Sequence, residues 1–277
     1  MCYSSYLTTS ALILVLAAAG PLRADEISEK GRDILTKNQH SVVTVQVVLK
    51  TSYSGAAAPN ETKEDITGSV IDPSGLTVVA LSACDPTEML RRMMSEAYAK
   101  YKVESEITDV KILLEDGNEL PAEIVLRDKD LDLAFLRPKA KPAAPMPAMD
   151  LGHSSPVQVL DQVVALNRLN SAAGRAYSAS VERITAVMQK PRTFYIPDST
   201  MTATGLGSPV FAIDGNVVGI IVVRTISAAG GSARNPRGNA TTIILPAPDI
   251  LRAAKQAPDA KGDTGKKEEP KPAEVPK

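Results

Sequence analysis

Residues 115–136 read EDGNELPAEIVLRDKDLDLAFL. Asp116-Gly117-Asn118 is a tight-turn signal between two β-rich runs, so Val110–Leu114, the turn 115–118 and Ala122–Arg127 predict a hairpin. The polar stretch Asp128–Asp132 then enters Leu133–Leu136, an apolar run short enough for a buried strand. Upstream, Ser41–Lys50, Gly68–Asp72 and Leu76–Leu81 have the same character, with Pro73-Ser74-Gly75 as a turn. Downstream of a Pro/Ala-rich connector at 141–150, the pattern resumes in Val157–Leu166, Ala179–Met188, Arg192–Ile196, Pro209–Ala212, Val217–Arg224 and Thr241–Ile244. Two groups of about six short strands predict a mainly all-β protein of two packed six-stranded barrels. Barrel one spans about 41–140 and barrel two about 150–246. Two helices interrupt this pattern: Pro86 to about Tyr101, where Met89, Leu90, Met93, Met94 and Ala97 recur at helical spacing, and Asp249–Gln256.

Composition limits the function classes. The 277 residues carry a net charge of −1, with 44% hydrophobic and 4% aromatic residues and no Trp. This is globular composition with a Val/Ile/Leu/Ala core. A near-neutral chain without a basic, aromatic-laced stripe gives no reason to expect a nucleic-acid partner. No His/Cys cluster has ligand spacing and no phosphate-cradling loop is present, so neither metal nor cofactor is expected. The cysteines Cys2 and Cys84 do not form a disulfide framework, and Cys84 reads as a buried small hydrophobe.

The ends read differently from the body. The apolar run 11–20 is too short to span a bilayer, and Ala24 precedes Asp25-Glu26. Residues 1–24 therefore read as a secretory signal, and the protein as exported to the periplasm or beyond. The n-region lacks Lys and Arg, which leaves an uncleaved anchor as the rival reading. Residues 257–277 are rich in Lys, Pro and Glu and read as a disordered tail.

Three stretches, taken in order, resemble the HtrA/Deg branch of trypsin-like serine proteases. The first is GSVIDPSGLTVVALSAC (68–84), where the family runs strand, Asp-Pro-x-Gly turn and strand into Thr-Asn-x-His. The second is 115–136, similar to the family's hairpin and to its Asp-Leu-Ala-x-Leu with the triad aspartate. The third is DSTMTATGLGSPVFAIDGNVVGI (198–220), which registers without a gap on Gly-Asn-Ser-Gly-Gly-Pro-Leu, an Asp-Gly turn and Val-Ile-Gly-Ile. Leu151-Gly152-His153-Ser154 resembles the start of the second barrel. The resemblance covers about residues 30–255. It implies an insertion at 86–101 and lacks the PDZ domain common in the family.

By this resemblance the aspartate position is kept as Asp132, the histidine position falls on Ser82 and the serine position on Leu206. A hydroxyl cannot serve as base near neutral pH, and leucine has no nucleophilic atom. In the oxyanion loop, Thr204 and Ser208 stand where the family has glycine, beside Gly205 and Gly207. Neither His40 nor His153 lies where a base is needed. Ser208 is the fallback nucleophile and Cys84 a second, which keeps a weak or unconventional endopeptidase open. The leading expectation is a pseudoprotease that holds a peptide or unfolded protein in the cleft between the barrels, or that oligomerises with itself or with active relatives. A structural protein acting through its outer surface is the remaining alternative.

Overall fold

A computed structural model describes residues 25–54, 58–87, 89–90, 103–198, 205–225 and 240–259. Twelve strands close into two barrels. The first runs β1 (Val42–Tyr53), β2 (Asn60–Val70), β3 (Thr77–Ala80), β4 (Val103–Leu113), β5 (Glu119–Asp128) and β6 (Leu133–Pro138), ordered β1-β2-β3-β6-β5-β4. The second runs β7 (Gln162–Arg168), β8 (Tyr177–Met188), β9 (Phe194–Pro197), β10 (Pro209–Ala212), β11 (Val217–Thr225) and β12 (Ala240–Pro246), ordered β10-β11-β12-β9-β8-β7. All named pairings are antiparallel, as short connections require.

The expected turns form. Leu114 N–H donates to Asn118 O at 2.9 Å, with Gly117 at φ 84°. Ala212 N–H donates to Asn216 O at 2.9 Å around Asp214-Gly215.

Side-chain alternation explains how the barrels dock. On β3, Val78 and Ala80 join one apolar cluster and Val79 another; on β6, Leu133 and Phe135 join the first, Ala134 and Leu136 the second. The second cluster fills barrel one. The first is continuous with the interior of barrel two, including Val164, Phe211 and Ile244. Because successive side chains face opposite sides of a strand, β3 and β6 are buried on both faces. The two barrels therefore share one core.

Several elements differ from the sequence expectation. Leu81 leaves the strand and starts the helical turn α2 (Leu81–Cys84), because its N–H donates to Asp132 O at 2.9 Å instead of continuing a ladder. The strand expected from Val157 begins only at Gln162. Residues before it turn back, with Gln158 N–H on Asp161 Oδ2 at 2.7 Å and Leu160 at φ 76°. The helix expected at 86–101 opens with Asp85 Oδ1 accepting Thr87 N–H at 3.0 Å and Leu90 N–H on Pro86 O at 2.8 Å; its remainder lies outside the described residues. The C-terminal helix, α3, is Ala247–Ala254 and buries Ala247, Ile250 and Ala253. Beyond it, Pro258 O accepts Arg137 Nε at 2.8 Å, so the chain still touches barrel one there. The signal expected at 1–24 and the tail from 260 lie outside the described residues. No helix among the described residues is long and apolar enough to cross a membrane.

The helix α1 (Asp25–Asn38) has no counterpart in the sequence reading. It places Ile27, Gly31 and Ile34 on one face. Gly31 lies close enough that an added Cβ would sit 3.8 Å from Val164 of β7, and Ile34 is buried in the shared core. Ile34→Ala should therefore lower stability by about 2–4 kcal/mol in urea unfolding. A change below about 0.5 kcal/mol would show that α1 does not belong to the cooperative unit.

Candidate functional site

The structure brings Ser82, Asp132, Leu206 and Ser208 to one place, where α2 of barrel one meets the loop before β10 and the middle of β11. Asp132 holds φ 58° at the mouth of β6, a left-handed conformation tolerated by Asp. Its carboxylate accepts Ser82 N–H at 2.7 Å, Ser82 Oγ–H at 2.7 Å and Val223 N–H at 2.8 Å. The first two contacts lie within barrel one; the third crosses to barrel two. Charge-assisted bonds of this kind are short and comparatively strong.

The loop 205–208 is fixed from both sides. Gly207 N–H donates to Ile221 O at 2.8 Å, and Ser69 Oγ donates to Gly207 O at 3.0 Å from barrel one. Gly207 is at φ 85°, and a Cβ there would lie 2.3 Å from Thr67 O. Only glycine fits this close approach. Nearby, Thr67 Oγ1 hydrogen-bonds Asn167 Oδ1, a further link between the barrels.

Leu206 is 5% exposed and belongs to the shared apolar core. Its residue type explains its placement, because a leucine at this turn gains from turning inward. Ser208, the fallback nucleophile, is 1% exposed, and its Oγ has no hydrogen-bond partner. Among the described residues it therefore has neither a base partner nor exposure. Gly205 is half-buried and opens the turn, with its carbonyl accepting Ser208 N–H at 3.3 Å. Thr204 lies outside the described residues.

Cys84 is fully buried, and burial raises its thiol far above the ordinary range, so it stays protonated at neutral pH. The two histidines are engaged elsewhere: His40 Nδ1 with Glu115 at 2.8 Å, and His153 Nδ1 with Asp150 at 2.6 Å.

A small cavity of about 30 Å³ lies over Ser82 and Asp132, walled by Met89, Lys129, Val223 and Thr225. It has room for water and little more. The adjoining edge of β11 was not marked by the sequence reading. Ile221 turns its N–H and C=O to the 205–208 loop, so by alternation Val223 and Thr225 face the same way and Val222 and Arg224 face β12. Val223 N–H is taken by Asp132. The Val223 carbonyl and the Thr225 N–H and C=O have no partner among the described residues. These are backbone groups, and no side-chain signal could have revealed them.

With this geometry in hand, the comparisons with known proteins are informative. The model of the trypsin-like peptidase domain matches residues 66–220, more than half of the 277-residue chain. The chain belongs to the trypsin-like peptidase family. Its relatives include protease Do-like 14 of Arabidopsis thaliana, 26% identical over 49% of this chain and 32% of the relative. Another is a periplasmic serine endoprotease DegP-like protein of Halomonas elongata, 32% identical over 40% of this chain and 23% of the relative. The chain thus spans about a third or less of these curated relatives. Among solved structures, the HtrA-type protease AlgW with a decapeptide superposes with TM-score 0.55 at 17% identity, covering 81% of this chain and 65% of that one. Deg5 gives 0.51 at 15% identity, covering 81% and 92%. These likenesses agree with the two-barrel architecture and the HtrA/Deg kinship.

Removing the Asp132 carboxylate leaves three donors without their acceptor, whereas removing the Ser82 hydroxyl removes one donor and leaves two. Asp132→Ala should therefore cost about 3 kcal/mol and Ser82→Ala about 1 kcal/mol in chemical denaturation. Equal costs would show that the Val223 and Ser82 backbone bonds carry no weight.

Proposed function

We propose that this protein is a catalytically inactive member of its family that binds an extended peptide or unfolded protein segment in the cleft between its barrels. The observation that carries the reading is the hydrogen-bonded Ser82–Asp132 pair together with the burial of Leu206 in the core. If Ser82 and Leu206 stand at the family's base and nucleophile positions, the site has an orienting carboxylate but no group to orient and nothing to attack with. Acyl transfer requires nucleophile, base and oriented tautomer together. Asp132 here serves instead as an acceptor that fixes the loops, and transition-state stabilisation is reduced to binding.

Binding is supported by the edge of β11, where among the described residues the Val223 carbonyl and the Thr225 N–H and C=O have no partner. An extended segment laid against that edge would gain main-chain hydrogen bonds, the mode by which sheet edges capture peptides. The neighbouring AlgW structure contains a decapeptide, a fact about that protein that points the same way. Residues 1–24 are proposed as an export signal, 257–277 as a solvated tail, and the site of action as the extracytoplasmic space. The periplasmic name of the Halomonas relative is consistent with this.

The test is a diverse peptide pool incubated with the native protein and with a Ser82→His, Leu206→Ser double variant, with products read by mass spectrometry. The native protein should leave the pool intact. Leu206→Ser exchanges a buried apolar side chain for a hydroxyl and should cost about 3 kcal/mol, so the variant's unfolding curve is measured alongside. Cleavage by the native protein that disappears in Ser208→Ala would overturn the inactive reading and make this an enzyme.

A further inference from the structure

A second pocket adjoins the cavity over Ser82 and Asp132 and shares with it the walls Lys129, Val223 and Thr225. Its volume is about 190 Å³, enough for a side chain rather than a whole ligand. Its floor is apolar, with Phe194 of β9 and Leu245 of β12 both buried. Among the described residues its rim carries two arginines, Arg192 and Arg224, with Lys129 and the carboxylate of Asp130 beside them. The chain as a whole carries a net charge of −1, so the pairing of two arginines at this rim is not a reflection of composition.

Among the described residues no carboxylate pairs with either arginine. The Arg224 guanidinium carbon sits over the Phe194 ring, 4.6 Å from its centroid. Stacking on an aromatic face holds a guanidinium in place and leaves its in-plane donors available. The sequence joining β11 to β12 supplies no counter-charge: 226–239 contains Arg234 and Arg237 and neither Asp nor Glu. Arg224 also directly precedes Thr225, whose backbone forms the open edge. A peptide paired with that edge would bring one of its side chains over this pocket.

We propose that the pocket selects an acidic side chain, so that the cleft takes extended peptides in which Asp or Glu is flanked by apolar residues. This inference rests on the peptide-binding reading above. The carboxylate meets Arg224 and Arg192 at the rim, and the neighbouring apolar side chains pack beside Leu131 and Pro191 in the pocket wall. A guanidinium fork gives a carboxylate two parallel donors, which a neutral or basic side chain cannot use.

The test uses the full chain and a fluorescein-labelled positional-scanning library of hexapeptides, with Glu, Gln or Lys fixed at each position in turn. Binding is followed by fluorescence anisotropy at low and high ionic strength. At one position Glu should bind about fivefold more tightly than Gln, with Lys weakest, and the gap should shrink in salt. Arg224→Gln should abolish the Glu advantage, so that the Glu and Gln mixtures bind with equal affinity. Arg192→Glu, an exposed change that leaves the core untouched, should reverse the order of Glu and Lys. Equal binding of Glu, Gln and Lys mixtures would overturn the acidic preference and leave peptide binding standing. No binding by any mixture would overturn peptide binding itself, and the preference with it.

Discussion

One carboxylate joins three parts of this molecule. Asp132 accepts the N–H and the hydroxyl of Ser82 and the N–H of Val223. The first pair anchors α2 at the end of β3, and the third ties barrel one to β11 of barrel two. The residue is held at φ 58° while doing so, a conformation that persists because its surroundings determine it. The shared apolar core brings the barrels together without direction; Asp132, with Ser69 and Thr67, sets their register. Hydrophobic burial is non-directional and these hydrogen bonds are not, so the core supplies the larger energy and the polar links the geometry.

The same constraint shapes the chemistry proposed for the cleft. A carboxylate that orients an imidazole must have an imidazole to orient; here its capacity is spent on a serine that turns back onto it. Leu206 adds a second barrier by joining the core from the position the family resemblance assigns to the nucleophile. Ser208 and Cys84, the remaining candidates, are both buried. What is left without a partner among the described residues is the Val223 carbonyl and the Thr225 backbone, with a pocket holding Arg192 and Arg224 beside them. Those features support the proposed recognition of a chain segment.

The architecture was legible in the sequence because it is written in local signals. Turn residues at 72–75, 115–118 and 214–216, with apolar runs between them, specified both barrels. The pairing of Ser82 with Asp132 was implied by matching two motifs 50 residues apart. Other parts left no such mark. Helix α1 docks through a sparse stripe interrupted by Gly31, which reads as a helix-weakening residue until Val164 is known to lie against it. Leu81 looked like a strand residue until the Asp132 carbonyl took its N–H. The Val223 contact and the open edge beside it are made by main-chain atoms, which carry no sequence signature. Arg224 and Phe194 stand thirty residues apart and become neighbours only through β12.

The central claim is that no side chain in this cleft is an activated nucleophile. A fluorophosphonate reagent, which phosphonylates activated serines, tests it directly when native protein is treated in excess reagent and read by intact-mass spectrometry. The account predicts an unchanged mass while the protein remains folded. A stoichiometric adduct mapped to Ser82 or Ser208 in the folded protein would contradict it.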